Sequence, residues 1–199
     1  MIKITKTENQ EKTNRIANLS QRKTAKILGV LILIAYAVIF ALAFESFFAI
    51  MILELISGVA VVGMAVLIFP ILKPHNKYLS LGYFVFKIIE GVVMIIAGIL
   101  LGSLMISAET HGLIYGIHDY IFGIAYLLLS YLLYQSKLVP RFISIWGLIA
   151  STLFLVASLL DTLGIFPGLQ SLSLLPIILN EVLLAIWFIA KGFNEDAIL

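Results

Sequence analysis

The residues that could do chemistry in this chain are ionisable side chains set inside apolar runs: Glu54, Lys87, Glu90, His118, Asp119 and Glu181. Lys87 and Glu90 lie in "FVFKIIEGVVMII", residues 84–96, three positions apart. On a helix that spacing lets them pair directly. His118 and Asp119 are adjacent, so on a helix they point about 100° apart. Four carboxylates against one ammonium cannot all stay charged in a dry site, so protons or a cation must accompany them. Two chemistries follow. In the first, Glu54, Glu90, Asp119 and Glu181 hold a small cation, a cationic solute or a proton, and Lys87 is an internal counter-ion that frees Glu90 when displaced. In the second, His118, Asp119, Glu90 and Glu181 ligate a divalent metal ion, which lowers the pKa of a bound water. No HExxH pattern supports the metal, and its ligands would come from separate segments.

Composition says where such groups sit. Of 199 residues, 62% are hydrophobic and 12% charged, with mean hydropathy +1.12. A soluble domain is about half apolar and a quarter charged, so this is an integral membrane protein whose partner is the lipid bilayer. A net charge of +2 is too small to argue for nucleic acid. The absence of cysteine excludes disulfides, thiolate metal sites and cysteine nucleophiles. No serine sits in a Gly-x-Ser-x-Gly elbow.

A bilayer core takes about 20 apolar residues per helix. Six segments qualify, near 24–44, 47–70, 78–102, 112–135, 141–162 and 172–191. None shows the alternation of a barrel strand. The expected fold is therefore all-α, a polytopic bundle of six transmembrane helices over 24–192, with polar tails at 1–23 and 193–199. Pro70 and Pro74 are expected to end the second span and Pro140 to begin the fifth. Pro176 is either a first-turn proline or a mild kink in the sixth. The first span has a basic approach and an Ala-x-Ala at 41–43, but its apolar run is long for a signal peptide, so it is expected to stay uncleaved.

Orientation follows from the basic residues. Lys3, Lys6, Lys12, Arg15, Arg22, Lys23 and Lys26 precede the first span. Lys73 and Lys77, then Lys137 and Arg141, then Lys191 fall at every second connection, while the others carry Glu45, Glu109 and Asp161. The positive-inside rule places both termini in the cytoplasm. The 1.5 Å rise per residue then puts Glu54, His118 and Asp119 roughly 10 Å below the outer boundary and Glu90 roughly 12 Å. Glu181 falls roughly 8 to 15 Å deep. Four helices bring ionisable groups to one layer in the outer half of the bilayer. A charge at a span's centre costs about 2.5–3.5 kcal/mol, so these groups face the bundle interior.

Other polar residues carry weaker signals. Asp119 shares a face with Gly112, Gly116 and Gly123, a stripe expected to admit a neighbouring helix. His118 shares a side with Tyr115 and Phe122. Tyr78, Tyr115, Tyr131 and Tyr134 read as interface anchors near span ends. Asn180 is placed to orient Glu181.

Three stretches carry a family resemblance: "LKPHNKYLSLGYFVFKIIEG" at 72–91, "SKLVPRFISIWGL" at 136–148 and "NEVLLAIWFIAKG" at 180–192. They resemble a bacterial membrane-protein family catalogued as domain of unknown function 4386. Its pattern includes a basic residue then Glu in the third span, here Lys87 and Glu90, and a terminal Glu…Trp…Lys-Gly, here Glu181, Trp187 and Lys191–Gly192. His75 stands where that pattern has an apolar residue. The resemblance implies a six- or seven-helix bundle in a bacterial plasma membrane and supplies no activity. The function expected from the residues is therefore binding or transport of a small cation or cationic solute. The alternatives are an intramembrane metal-dependent hydrolase acting on a lipid-like substrate, and a non-catalytic sensor or accessory protein whose charges only pack helices.

Overall fold

Apolar runs this long must satisfy their backbone groups internally once water is excluded, and helices do so within one segment. The computed structural model describes residues 21–37, 39 and 46–197, and every regular element among them is helical. Helix α1 covers 21–35 and continues briefly as 3-10 turn. It is followed by α2 (Phe47–Leu72), α3 (Lys77–Gly102), α4 (Ala108–Ser136), α5 (Arg141–Thr162) and α6 (Leu169–Ala190). A short 3-10 turn, Glu195–Ala197, closes the described chain. The five helices α2 to α6 are long and apolar enough to cross a membrane, and the protein is a multi-pass membrane protein. Helix α4 is the least apolar of them. It is also the helix that carries His118 and Asp119. Residues 1–20 of the expected 1–23 tail, the Ala-x-Ala at 41–43, Glu45, the end of the first span and residues 198–199 lie outside the described residues; residues 21–23 begin α1.

Side chains start three of the helices. Ser46, Asn76 and Ser107 accept from the backbone N–H groups of Ala49, Leu79 and Thr110, satisfying donors that a helix N-terminus leaves open. Pro140 stands at the N-cap of α5, where its missing N–H costs nothing. Gly168 leads into α6 at φ 84°, a conformation that suits glycine. One proline expectation is corrected, and one left open is decided. Pro70 does not end α2 but lies inside its last turn, with Pro74 in the turn that follows. Pro176 lies within α6, which begins at Leu169 rather than near 172.

Successive helices pack side by side from α2 to α6. Helix α1 closes the ring. A Cβ on Gly29 would meet the Ala185 carbonyl of α6 at 2.6 Å, and one on Gly63 of α2 would meet Leu31 at 3.2 Å. At Gly58 and Gly91 the backbones of α2 and α3 approach so closely that a Cβ on either would strike the other's carbonyl, at 2.7 and 2.8 Å. Small residues at such crossings are how membrane helices come together where no water drives them. The Gly112 and Gly116 positions do not behave this way. Nothing lies within 4 Å of where their Cβ atoms would stand, and only Gly123 of that stripe packs, against Phe154 and Leu155 of α5.

The basic connections share one end of the bundle. Asn76 donates to Gln135, and Asn194 donates to the Lys137 carbonyl. A Cβ on Gly192 would lie 3.8 Å from Arg22. Lys73, Lys77, Lys137, Arg141 and Lys191 are all exposed there. The connections at 103–107 and 163–168 form the opposite end.

Candidate functional site

The close α2–α3 crossing at Gly91 sets Lys87 and Glu90 just beside it, and both turn inward, 4% and 2% exposed. Lys87 Nζ lies 2.8 Å from Glu90 Oε1. The ammonium also stands 5.4 Å from the centre of the Phe122 ring on α4, the face of an aromatic being a favourable place for a cation. Glu90 Oε2 is buried and has no hydrogen-bond partner among the described residues.

Helix α4 supplies an aromatic and imidazole ladder. Ring centres run from His111 to Tyr115 at 4.7 Å, to His118 at 5.0 Å and to Phe122 at 6.5 Å. The one-turn spacing of these residues stacks them on one face. His118 Nδ1 lies 3.3 Å from Asp119 Oδ1, so the side chains bend together despite their 100° separation on the helix. The other Asp119 oxygen accepts from Gln170 Nε2 at the start of α6. Gln170 is held in turn by Asp161, whose carboxylate accepts from the Gly168 and Gln170 backbone N–H groups, each at 3.2 Å. Asp161 thus caps α6 and sets the side chain that steadies Asp119.

A polar knot orients α6. Asn180 accepts from the Tyr126 hydroxyl of α4 and donates to the Ile143 carbonyl of α5 at 3.0 Å. With Asn180 tied toward α4 and α5, the next residue turns about 100° around the helix. Glu181 therefore faces the other way and accepts from the Tyr36 hydroxyl of α1. Both residues are buried.

These groups meet in one cavity of about 270 Å3 between α1, α2, α3, α4 and α6. Lys87, Glu90, His118, Asp119 and Glu181 line it, with Tyr36 and Tyr115. The remaining wall is apolar, from Ile32, Val61, Met64, Met94, Phe122, Leu174 and their neighbours. Helix α5 contributes nothing to the lining but anchors α4 and α6 behind it.

Five of the six expected residues thus come together. Glu54 does not join them. It is 1% exposed, and its Oε1 pairs with His111 Nε2 at 2.9 Å, at the end of α4 beyond the cavity. Its other oxygen packs where a Cβ on Gly98 would stand, 2.8 Å away. Similar depth put Glu54 in the same layer; its helix face directs it elsewhere. Tyr115 is a lining residue and not an interface anchor. Tyr36, His111 and Gln170 escape a sequence reading. Tyr36 carried a usable signal, a polar hydroxyl deep in an apolar run; the other two sit near helix ends, where polar residues are ordinary. For the metal set, no group of three or more His, Cys, Asp or Glu side chains among the described residues is placed to hold an ion.

The comparisons with known proteins bear on identity alone. A family model described as "Domain of unknown function (DUF4386)" matches residues 45–192. No curated protein and no solved structure matches the chain.

Proposed function

We propose a function for a chain that belongs to the DUF4386 family: it holds a small cation or cationic solute inside the bilayer, as a binding protein or carrier. The observation that carries this reading is the set of ionisable side chains that line the cavity. Three carboxylates, Glu90, Asp119 and Glu181, line it against one ammonium, Lys87, which is engaged by Glu90. Clefts lined by one sign of charge between low-dielectric walls concentrate the opposite ion. Intramembrane ionisable residues facing such a cavity mark solute or proton pathways more often than packing.

In this proposal α1 supplies a sixth crossing, since Tyr36 brings it to Glu181. The basic end of the bundle faces the cytoplasm of a bacterial plasma membrane, by the positive-inside rule. The cavity is then reached from the end that bears the 103–107 and 163–168 connections.

The test uses purified protein in proteoliposomes adsorbed to a solid-supported membrane. Jumps in sodium or methylammonium concentration are applied and charge displacement is recorded. The proposal expects a displacement in the wild type that falls at least about tenfold in Glu181→Gln and Asp119→Asn. Equal signals in wild type and in both folded variants contradict it and leave helix packing as the role of these charges.

A further inference from the structure

We propose that the occupant of this cavity is a lipophilic amine, an apolar body bearing one protonated nitrogen with N–H groups to donate. The inference rests on the cation-binding reading and names the substrate class of that site.

Three buried atoms of the lining have no hydrogen-bond partner among the described residues: Glu90 Oε2, His118 Nε2 and the Tyr115 hydroxyl, which can donate as well as accept. The first two serve as acceptors. A carboxylate oxygen only accepts when ionised. His118 Nδ1 faces Asp119 Oδ1 at 3.3 Å; a neutral ring that donates there from Nδ1 presents a lone pair at Nε2. Buried acceptors left bare in apolar surroundings are costly, and a donor relieves them. A primary ammonium offers three N–H groups. An alkali ion offers none and has little affinity for imidazole, a ligand of transition metals. A quaternary ammonium offers charge without donors.

The rest of the wall selects the body of the ligand. The cavity, at about 270 Å3, has room for several waters. Walls such as Met64, Met94 and Leu174 give those waters no partners. A chain of several carbon atoms covers that surface, as apolar lining with few placed polar groups does in small-molecule sites generally.

The experiment is equilibrium dialysis of the full chain in lipid nanodiscs, with empty nanodiscs subtracted. Three probes are compared: hexylammonium, hexyltrimethylammonium and ethylammonium. The wild type is set beside His118→Phe, which keeps the ring stack on α4 and deletes the Nε2 acceptor. Hexylammonium is expected to bind wild type at least about tenfold tighter than either other probe, since burying four more methylenes and donating to bare acceptors both add affinity. His118→Phe is expected to bind hexylammonium more weakly while leaving hexyltrimethylammonium unchanged. Equal binding of hexyltrimethylammonium removes the need for donors and overturns the proposal. Equal binding of ethylammonium removes the need for an apolar body; it overturns the proposal while the cation reading stands. Binding of none of the three by a cooperatively unfolding wild type overturns the proposal, and a sodium-evoked charge displacement in the same protein would keep the cation reading standing. Should His118→Phe fail to fold, the three-probe ranking on wild type alone decides.

Discussion

Asn180 and Glu181 are neighbours on α6, yet one is bound into the wall of the bundle and the other faces its cavity. Asn180 joins Tyr126 of α4 to the Ile143 carbonyl of α5, and Glu181 meets Tyr36 of α1. The rotation of α6 is therefore set by hydrogen bonds on its back, and the carboxylate is aimed as a consequence. Asn180→Leu strips the acceptor from a buried hydroxyl and the donor from a buried carbonyl. It is expected to cost about 1–3 kcal/mol, measured by unfolding in mixed detergent. Adding Tyr126→Phe removes the stranded hydroxyl and is expected to recover part of the loss.

Lys87 and Glu90 give a second test. Glu90→Gln leaves an ammonium buried with its ion-pair partner gone, a change that costs about 3–5 kcal/mol in buried pairs. Replacing both, as Lys87→Met with Glu90→Leu, is expected to restore most of that stability, because well-packed apolar residues substitute for a buried pair at little cost. Unfolding of the single and double variants checks this. A double variant as unstable as the sum of the singles would show that the pair is not one unit.

Asp161 acts at a distance from the cavity. Its carboxylate caps α6 through Gly168 and Gln170, and Gln170 holds Asp119. Asp161→Ala is expected to cost about 1 kcal/mol, the usual worth of a helix cap. Gln170→Leu removes only the link to Asp119. It is expected to leave the cap and the thermal midpoint nearly unchanged while weakening cation binding several-fold by dialysis.

The Glu54–His111 contact lies outside the cavity lining. Glu54→Gln and His111→Ala are each expected to destabilise. The double-mutant cycle is expected to show a coupling of about 0.5–3 kcal/mol, as for residues in direct contact. Cation-evoked charge displacement is expected to persist in both variants. Its loss in Glu54→Gln, with folding intact, would place Glu54 in the binding site after all.

Much of the architecture was legible because a bilayer imposes its thickness on sequence. The spans at 47–70, 78–102 and 141–162 lie within a few residues of α2, α3 and α5. The polar lining was legible for the same reason: Lys87, Glu90, His118, Asp119 and Glu181 are costly in lipid and had to turn inward. Depth could be counted along the chain, but rotation could not. That is why Glu54 was grouped with the cavity and His111 was missed, since their contact depends on how α2 faces α4. Tyr115 has the same composition signal as Tyr131 and Tyr134, and only the packed helix separates a lining tyrosine from an interfacial one. Pro70 looked like a boundary, and Pro176 could be read as either a first-turn or an interior proline, because the sequence does not reveal where a membrane helix tolerates a missing N–H.

The central claim is that the cavity favours positive charge, and the chain allows a direct measurement because it contains no cysteine. Leu174 lines the cavity, so Leu174→Cys places one thiol there. Its rates of modification by a trimethylammonium-bearing and a sulfonate-bearing thiosulfonate of similar size are compared in proteoliposomes, each normalised to a small free thiol. The account predicts that the cationic reagent reacts at least about tenfold faster, as in clefts that concentrate one sign of charge, and that adding Glu181→Gln and Asp119→Asn removes the preference. Equal rates, or faster reaction with the sulfonate, would contradict it.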